Sequence, residues 1–99
     1  MSHQIRFSKA ARDDIERLYR FLADQDLRAA EAALLAFGKA WELMGNFPFT
    51  ARKPDPVNPL LRELVIPFGG AGYVALFEIT DADTLTVLAV RHQCEDDYH

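Results

Sequence analysis

The chain of 99 residues is 49% hydrophobic and 26% charged, a balance that is ordinary for a folded domain and unlike that of a disordered chain. Its length allows one buried core, so we expect a single domain over residues 1–99, and no apolar run approaches the ~18 residues of a membrane-spanning helix. The formal net charge of −4 argues against a broad nucleic-acid-binding groove, because such grooves draw their affinity from Lys and Arg on phosphates.

The N-terminal residues and the cysteine content indicate a cytoplasmic protein. Residues 1–6 lack the apolar core of a signal peptide. The single cysteine, Cys94, cannot form an internal disulfide. We therefore expect a cytoplasmic location and no membrane partner.

The first half of the chain predicts a short strand followed by a helical hairpin. Residues 3–7 favour a strand, and Ser8 is a suitable N-cap because its hydroxyl can accept from a free backbone amide. Apolar residues at helical spacing then predict a helix over residues 9–23. Asp26 can cap a second helix, which the Gly-Asn pair beginning at Gly45 ends. The many alanines of this second helix allow close packing against the first.

The second half predicts a loop and a three-stranded antiparallel meander. Four prolines between residues 46 and 59 exclude a continuing helix. Three apolar runs then follow, separated by turn residues. The predicted fold class is α+β: an N-terminal strand, a two-helix hairpin and a meander that together form one sheet. The predicted strands of the meander are residues 61–66, 73–79 and 84–90, with turns at 67–72 and 80–83.

The third strand of the meander has apolar residues in both alternating sets. Strict alternation puts Leu85, Val87 and Ala89 on one face. It puts Leu88 and Val90 on the other. Because one helical hairpin can cover only one face, we expect the second face to be buried by a partner or to remain an exposed apolar groove, and we expect a partner segment to bind across this face or the helical hairpin.

A polar cluster follows the third strand, and it includes Arg91, His92 and Tyr98. Residues just beyond a rigid scaffold often carry function. Structural alternatives remain open for each of these residues. Arg91 and Arg62 can form surface ion pairs with an acidic neighbour, which would be Glu63, Glu78 or Glu95. His92 can be a hydrogen-bonded residue at a strand end, and Tyr98 can pack back on the sheet.

The same tail contains possible metal ligands, but their number and spacing do not match those of a structural zinc site. His92, Cys94, Asp96 and His99 are all possible ligands, but structural zinc sites need four ligands at recognisable spacings and usually more than one cysteine. We expect no metal and no cofactor.

Three segments resemble the RelE/ParE superfamily of small bacterial toxins, and in particular its ParE-like branch. Residues 61–69 read LRELVIPFG, residues 72–77 read GYVALF, and residues 90–92 read VRH. The resemblance covers nearly the whole chain in order and spacing. It implies the toxin of a type II toxin-antitoxin pair, held inactive by a cognate antitoxin in a hetero-oligomer, with DNA gyrase or the ribosome as target.

Two toxic activities occur in that superfamily, and the resemblance distinguishes them by basic residues on the sheet. Messenger-RNA endonucleases need cations to stabilise the phosphorane charge and groups for acid-base chemistry. Members often carry Arg where this chain has Val74, and Glu63 and Val65 stand here in place of a pair of lysines. We therefore expect a ParE-like inhibitor that binds a protein target, with gyrase as that target, rather than an enzyme.

A RelE-like, ribosome-dependent mRNA endonuclease and an inactive antitoxin-binding domain are the alternatives. If the chain is an enzyme, the resemblance assigns its catalytic set. Arg62 and Arg91 would contact phosphate or a partner, His92 would serve in acid-base chemistry, and Tyr98 would stack or transfer a proton.

Overall fold

The computed structural model describes residues 2–93 of the chain. It confirms the predicted α+β order of a strand, two helices and three further strands. No helix within the described part is long and apolar enough to cross a membrane. The elements are β1 (Gln4–Phe7), α1 (Lys9–Gln25), α2 (Leu27–Asn46), a 3-10 turn (Pro48–Thr50), β2 (Leu61–Phe68), β3 (Ala71–Ile79) and β4 (Thr84–His92).

The four strands form one sheet in the order β1-β4-β3-β2. The three C-terminal strands are antiparallel neighbours, as predicted, and β1 pairs in parallel with β4. The chain between β1 and β4 includes the helical hairpin, β2 and β3, so it is long enough for the connection that a parallel pair requires.

The helical hairpin turns at Asp26, which serves both helices. Its backbone N–H donates to Leu22 O at 2.7 Å and closes α1. Its carboxylate accepts from the backbone N–H of Arg28 at 2.9 Å and caps α2. Ser8 caps α1 as predicted, since its Oγ accepts from Ala11 N at 3.0 Å.

The two helices cover one face of the sheet, which we call the helix side. Its strand residues include Phe77, Leu85 and Val87, all without solvent exposure. Phe37 of α2 lies above them, with its ring centroid 5.0 Å from that of Tyr73. The opposite face, which neither α1 nor α2 covers, is called the open face.

The β2–β3 hairpin is longer and its turn tighter than predicted. β2 continues through Pro67 to Phe68, and only Gly69 and Gly70 separate it from β3. Pro67 is tolerated because β2 is an edge strand, which forms hydrogen bonds with β3 on one side and with no other described strand of the sheet on the other. Gly69 has φ 60°, which the first position of a two-residue hairpin turn of type II′ requires.

A β-bulge in β4 changes which of its residues lie on each face of the sheet. Phe77 pairs with Val87 but Leu76 pairs with Ala89, so Leu88 is an extra residue and the alternation is reset. Val90 consequently joins the helix side and is fully buried. Among the described residues, the only large hydrophobic side chain that is exposed within a strand is Val65. The predicted placement of Val90 on the open face and of Ala89 on the helix side was wrong because it assumed strict alternation, but the open face still carries Val65, Val74, Leu76 and Ala89.

Candidate functional site

Arg91 lies on the open face, in a row of side chains that crosses three strands. Val74 pairs with Val65 on one side and with Arg91 on the other, and cross-strand partners project to the same face. These three residues form the Arg91 row. Two of its positions, Val65 and Val74, are those at which the family resemblance expects basic side chains in messenger-RNA endonucleases. In this chain the row carries one cation.

The next row of the open face contains an ion pair. Glu63, Leu76 and Ala89 are cross-strand partners. The Glu63 side chain is largely buried, and its Oε1 accepts from Arg52 Nε at 2.8 Å. The backbones of Arg52 and Glu63 also exchange two hydrogen bonds, of 3.2 and 2.9 Å. The carboxylate is thus matched by its own cation, and this part of the face gains no net positive charge.

Arg62 lies on the helix side and organises the proline-rich loop. It pairs with Phe77, and it is only 8% exposed. Its Nε donates to Pro59 O at 2.7 Å, and its Nη1 donates to Phe49 O at 2.7 Å and to Ala51 O at 3.1 Å. The guanidinium also lies 5.3 Å from the centroid of the Phe49 ring. These contacts bind the Arg62 side chain to the backbone of the loop.

His92 projects to the helix side, where a groove of about 860 Å³ opens between α1 and the β2–β3 turn. We call this the α1–hairpin groove. Phe21 lies in it and is 63% exposed. The apolar lining includes Leu18, Phe21, Leu22, Phe68, Ala71 and Tyr73, and Arg17 and His92 add polar groups.

Tyr73 forms the floor of this groove and joins it to the core. Its ring meets the His92 ring edge-on with centroids 5.5 Å apart, and it lies 5.7 Å from the Phe68 ring. Burial raises the pKa of the Tyr73 phenol above its ordinary value. The phenol therefore stays neutral at physiological pH, and the groove offers a mainly apolar surface with cationic and imidazole groups beside it.

The structure does not bring the predicted site residues together. Arg91 lies on the open face, whereas Arg62 and His92 lie on the helix side. The strand partners of Arg62 and His92 are Phe77 and Tyr73, which are separated by roughly 13 Å along β3 at about 3.3 Å per residue.

Some of the predicted residues lie beyond the part of the chain that the structure describes. Tyr98 is one of them, so its predicted role stays a prediction. Of the four candidate metal ligands, only His92 is among the described residues. Within residues 2–93, no group of three His, Cys, Asp or Glu residues is placed to hold a metal ion.

Two features of α1 were not predicted from the sequence. Arg17 and Phe21 lie one helical turn apart and both line the groove. Asp14 is buried, and its Oδ2 accepts from the backbone N–H of Val90 at 2.9 Å. A signal for Asp14 exists in the sequence, because it is an acidic residue within the apolar stripe that contains Ala11 and Leu18.

Comparison with known proteins identifies the family. The family model described as the ParE toxin of type II toxin-antitoxin systems, parDE, matches residues 5–97. No curated protein sequence matches the chain. A chain in the solved structure of the chromosomal ParDE TA system from P. aeruginosa is similar in fold, with a TM-score of 0.70 and 15% sequence identity over 92% of this chain and 96% of that chain. The match over residues 5–97 spans both the α1–hairpin groove and the Arg91 row, and this chain belongs to the ParE toxin family of type II toxin-antitoxin systems.

Proposed function

We propose that the chain acts in the cytoplasm as a toxin that binds and inhibits a protein target, DNA gyrase, and that a cognate antitoxin neutralises it. The observation that carries the choice of target is the Arg91 row, with valine at two positions and one cation at the third. Cleavage of RNA develops negative charge that several cations must stabilise. A protein interface needs no such cluster, and a single arginine among apolar side chains is a common interface anchor.

Arg91 is the residue that we assign to the target. It is half-buried and lies between the apolar Val74 and the edge of the open face. An arginine held in this way loses little conformational freedom when it binds a carboxylate or a carbonyl of a partner. Arg62 is assigned to the loop and His92 to the groove, and neither needs to take part in chemistry.

We assign the α1–hairpin groove to the antitoxin. Its volume and its apolar lining suit a peptide segment with aliphatic or aromatic anchors. Charge complementarity defines the partner further, because Arg17 is about half exposed and its charge is offset only in part by Asp14, so it favours an acidic residue beside those anchors. An amphipathic, acidic antitoxin segment is therefore the proposed occupant.

Expression in a bacterial host tests the proposal. Induction of the chain should arrest growth and leave plasmids relaxed, since gyrase supplies their negative supercoils. Co-expression of the protein encoded beside this reading frame should restore both growth and supercoiling. Growth arrest with normal plasmid supercoiling and cleaved messenger RNA would instead identify a ribosome-dependent endonuclease, and no growth arrest would identify an inactive antitoxin-binding domain.

A further inference from the structure

Three hydrogen bonds join β4 to Ser8, the N-cap of α1, and to Asp14 of α1; the first continues the parallel ladder that pairs Phe7 with Val87, and the other two are made by side chains. Ser8 N donates to Val87 O at 3.0 Å, and Ser8 Oγ donates to Leu88 O at 3.1 Å. Asp14 Oδ2 accepts from Val90 N at 2.9 Å. These bonds bracket the bulge at Leu88 on both sides. We call Ser8 and Asp14 the bulge clamp.

The bulge decides which face each later residue of β4 occupies. Before it, Val87 projects to the helix side, and after it Val90 and His92 do so. Regular alternation from Val87 would instead send Arg91 to the helix side and Val90 to the open face. A shift of one residue in a strand exchanges every side chain between its faces. The position of Arg91 therefore depends on the extra residue.

The clamp side chains satisfy one backbone group at the bulge, Leu88 O, and one two residues beyond it, Val90 N. A bulge leaves its extra residue unpaired, and a buried polar group without a partner is costly. Ser8 bonds the carbonyl of Leu88 while it also caps α1. Asp14 is 2% exposed, and Arg17 Nη2 lies 3.9 Å from its Oδ1 and offsets part of its buried charge.

We propose that the two residues of the bulge clamp are positioning residues that keep Arg91 on the open face and Val90 in the core. Asp14 is the more important of the two. Asp14 is buried and acts through the backbone of β4. Its consequence for toxicity rests on the proposed role of Arg91 at the target. Its structural consequence does not, and the two can be tested separately.

Thiol labelling tests the structural part. Val87→Cys and Val90→Cys, each in a Cys94→Ser background, place a thiol before and after the bulge at two fully buried positions. Both thiols should resist a maleimide probe. Adding Asp14→Ala should speed labelling at position 90 by roughly ten- to a hundredfold, the effect of losing one hydrogen bond to a charged group, while position 87 stays protected.

The conservative variant separates positioning from general stability. Asp14→Asn keeps an oxygen that can accept from the Val90 amide, so labelling at position 90 should return close to the parent rate. Equal acceleration at positions 87 and 90 would mean that Asp14→Ala merely unfolds the chain, and continued protection at position 90 would mean that the clamp positions nothing. Either result overturns the proposal.

A growth-arrest assay tests the consequence for function. Asp14→Ala should raise the inducer concentration needed for growth arrest by about tenfold or more. Asp14→Asn should restore the parent value. Met44→Ala, which removes a buried side chain of α2 from the core, is the control for loss of stability and should remain toxic while folded. If labelling behaves as expected but Arg91→Gln is fully toxic, the proposed role of Arg91 fails and the positioning by Asp14 stands.

Discussion

Arg91 and His92 are consecutive residues of β4 that project to opposite faces of the sheet. Arg91 lies beside Val74 on the open face, and His92 lies beside Tyr73 in the α1–hairpin groove. A single strand thus supplies a residue to each of the two surfaces that we assign to different partners. Substitutions at these adjacent positions should have separate effects.

Arg91→Gln should weaken binding to the target and leave antitoxin binding intact. One charged hydrogen bond is worth roughly 1.5–3 kcal/mol, so target affinity should fall about tenfold or more. His92→Gln should show the reverse pattern, because it changes only the groove. Binding of each purified variant to both partners by calorimetry checks this. Parallel losses in both variants would contradict the separation of the two surfaces.

Phe21→Glu should abolish antitoxin binding without lowering stability. The ring is exposed in the groove of the free chain, so its removal costs the fold little, whereas a carboxylate there opposes an apolar and acidic partner. Leu35→Glu is the matched control, since Leu35 is 71% exposed on α2 and is not part of the groove lining. Co-purification with the antitoxin and thermal unfolding measure the two effects. Retained binding by Phe21→Glu would show that the antitoxin does not bind in the α1–hairpin groove.

Gly72→Ala should destabilise the chain by more than about 1 kcal/mol. Gly72 has φ 137°, and an added Cβ would lie 2.5 Å from Ile66 O in the neighbouring strand. Gly38→Ala provides the opposite case, because a Cβ there meets nothing within 4 Å and the helix should gain about 0.5–1 kcal/mol. Urea unfolding of both variants gives the comparison. Equal stabilities would show that the close approach of β2 and β3 is not as described.

Arg62→Met should lower the free energy of unfolding by about 2–4 kcal/mol, because three loop carbonyls lose their donor. Arg20→Met should change it by less than about 0.5 kcal/mol, since the ion pair of Arg20 with Glu16 is exposed. If Arg62→Met instead left stability unchanged and abolished toxicity, Arg62 would belong to the functional set that the sequence predicts.

The fold was predictable because its local signals agree with one another. Ser8 and Asp26 are strong caps, and both form the predicted bonds. The prolines after α2 and the glycines after β2 mark real boundaries. Such signals act over a few residues, and the sequence displays them directly.

The placement of the site residues was not predictable in the same way. The bulge at Leu88 has no local marker, because neither glycine nor a turn sequence accompanies it. It depends on Ser8 and Asp14, which are 80 and 76 residues away from the groups that they bind. The position of Arg62 depends likewise on carbonyls of a distant loop. Contacts of this kind arise from packing and leave little trace in the periodicity of a sequence.

Inhibition of purified gyrase is the most direct test of the proposed function. The chain, added to gyrase, ATP and relaxed plasmid, should block supercoiling, and prior mixing with the antitoxin should restore it. Arg91→Gln should need about tenfold more protein for the same inhibition. Codon-specific cleavage of messenger RNA in a translation extract, with supercoiling untouched at the same concentration, would contradict the account and identify the chain as a ribosome-dependent endonuclease.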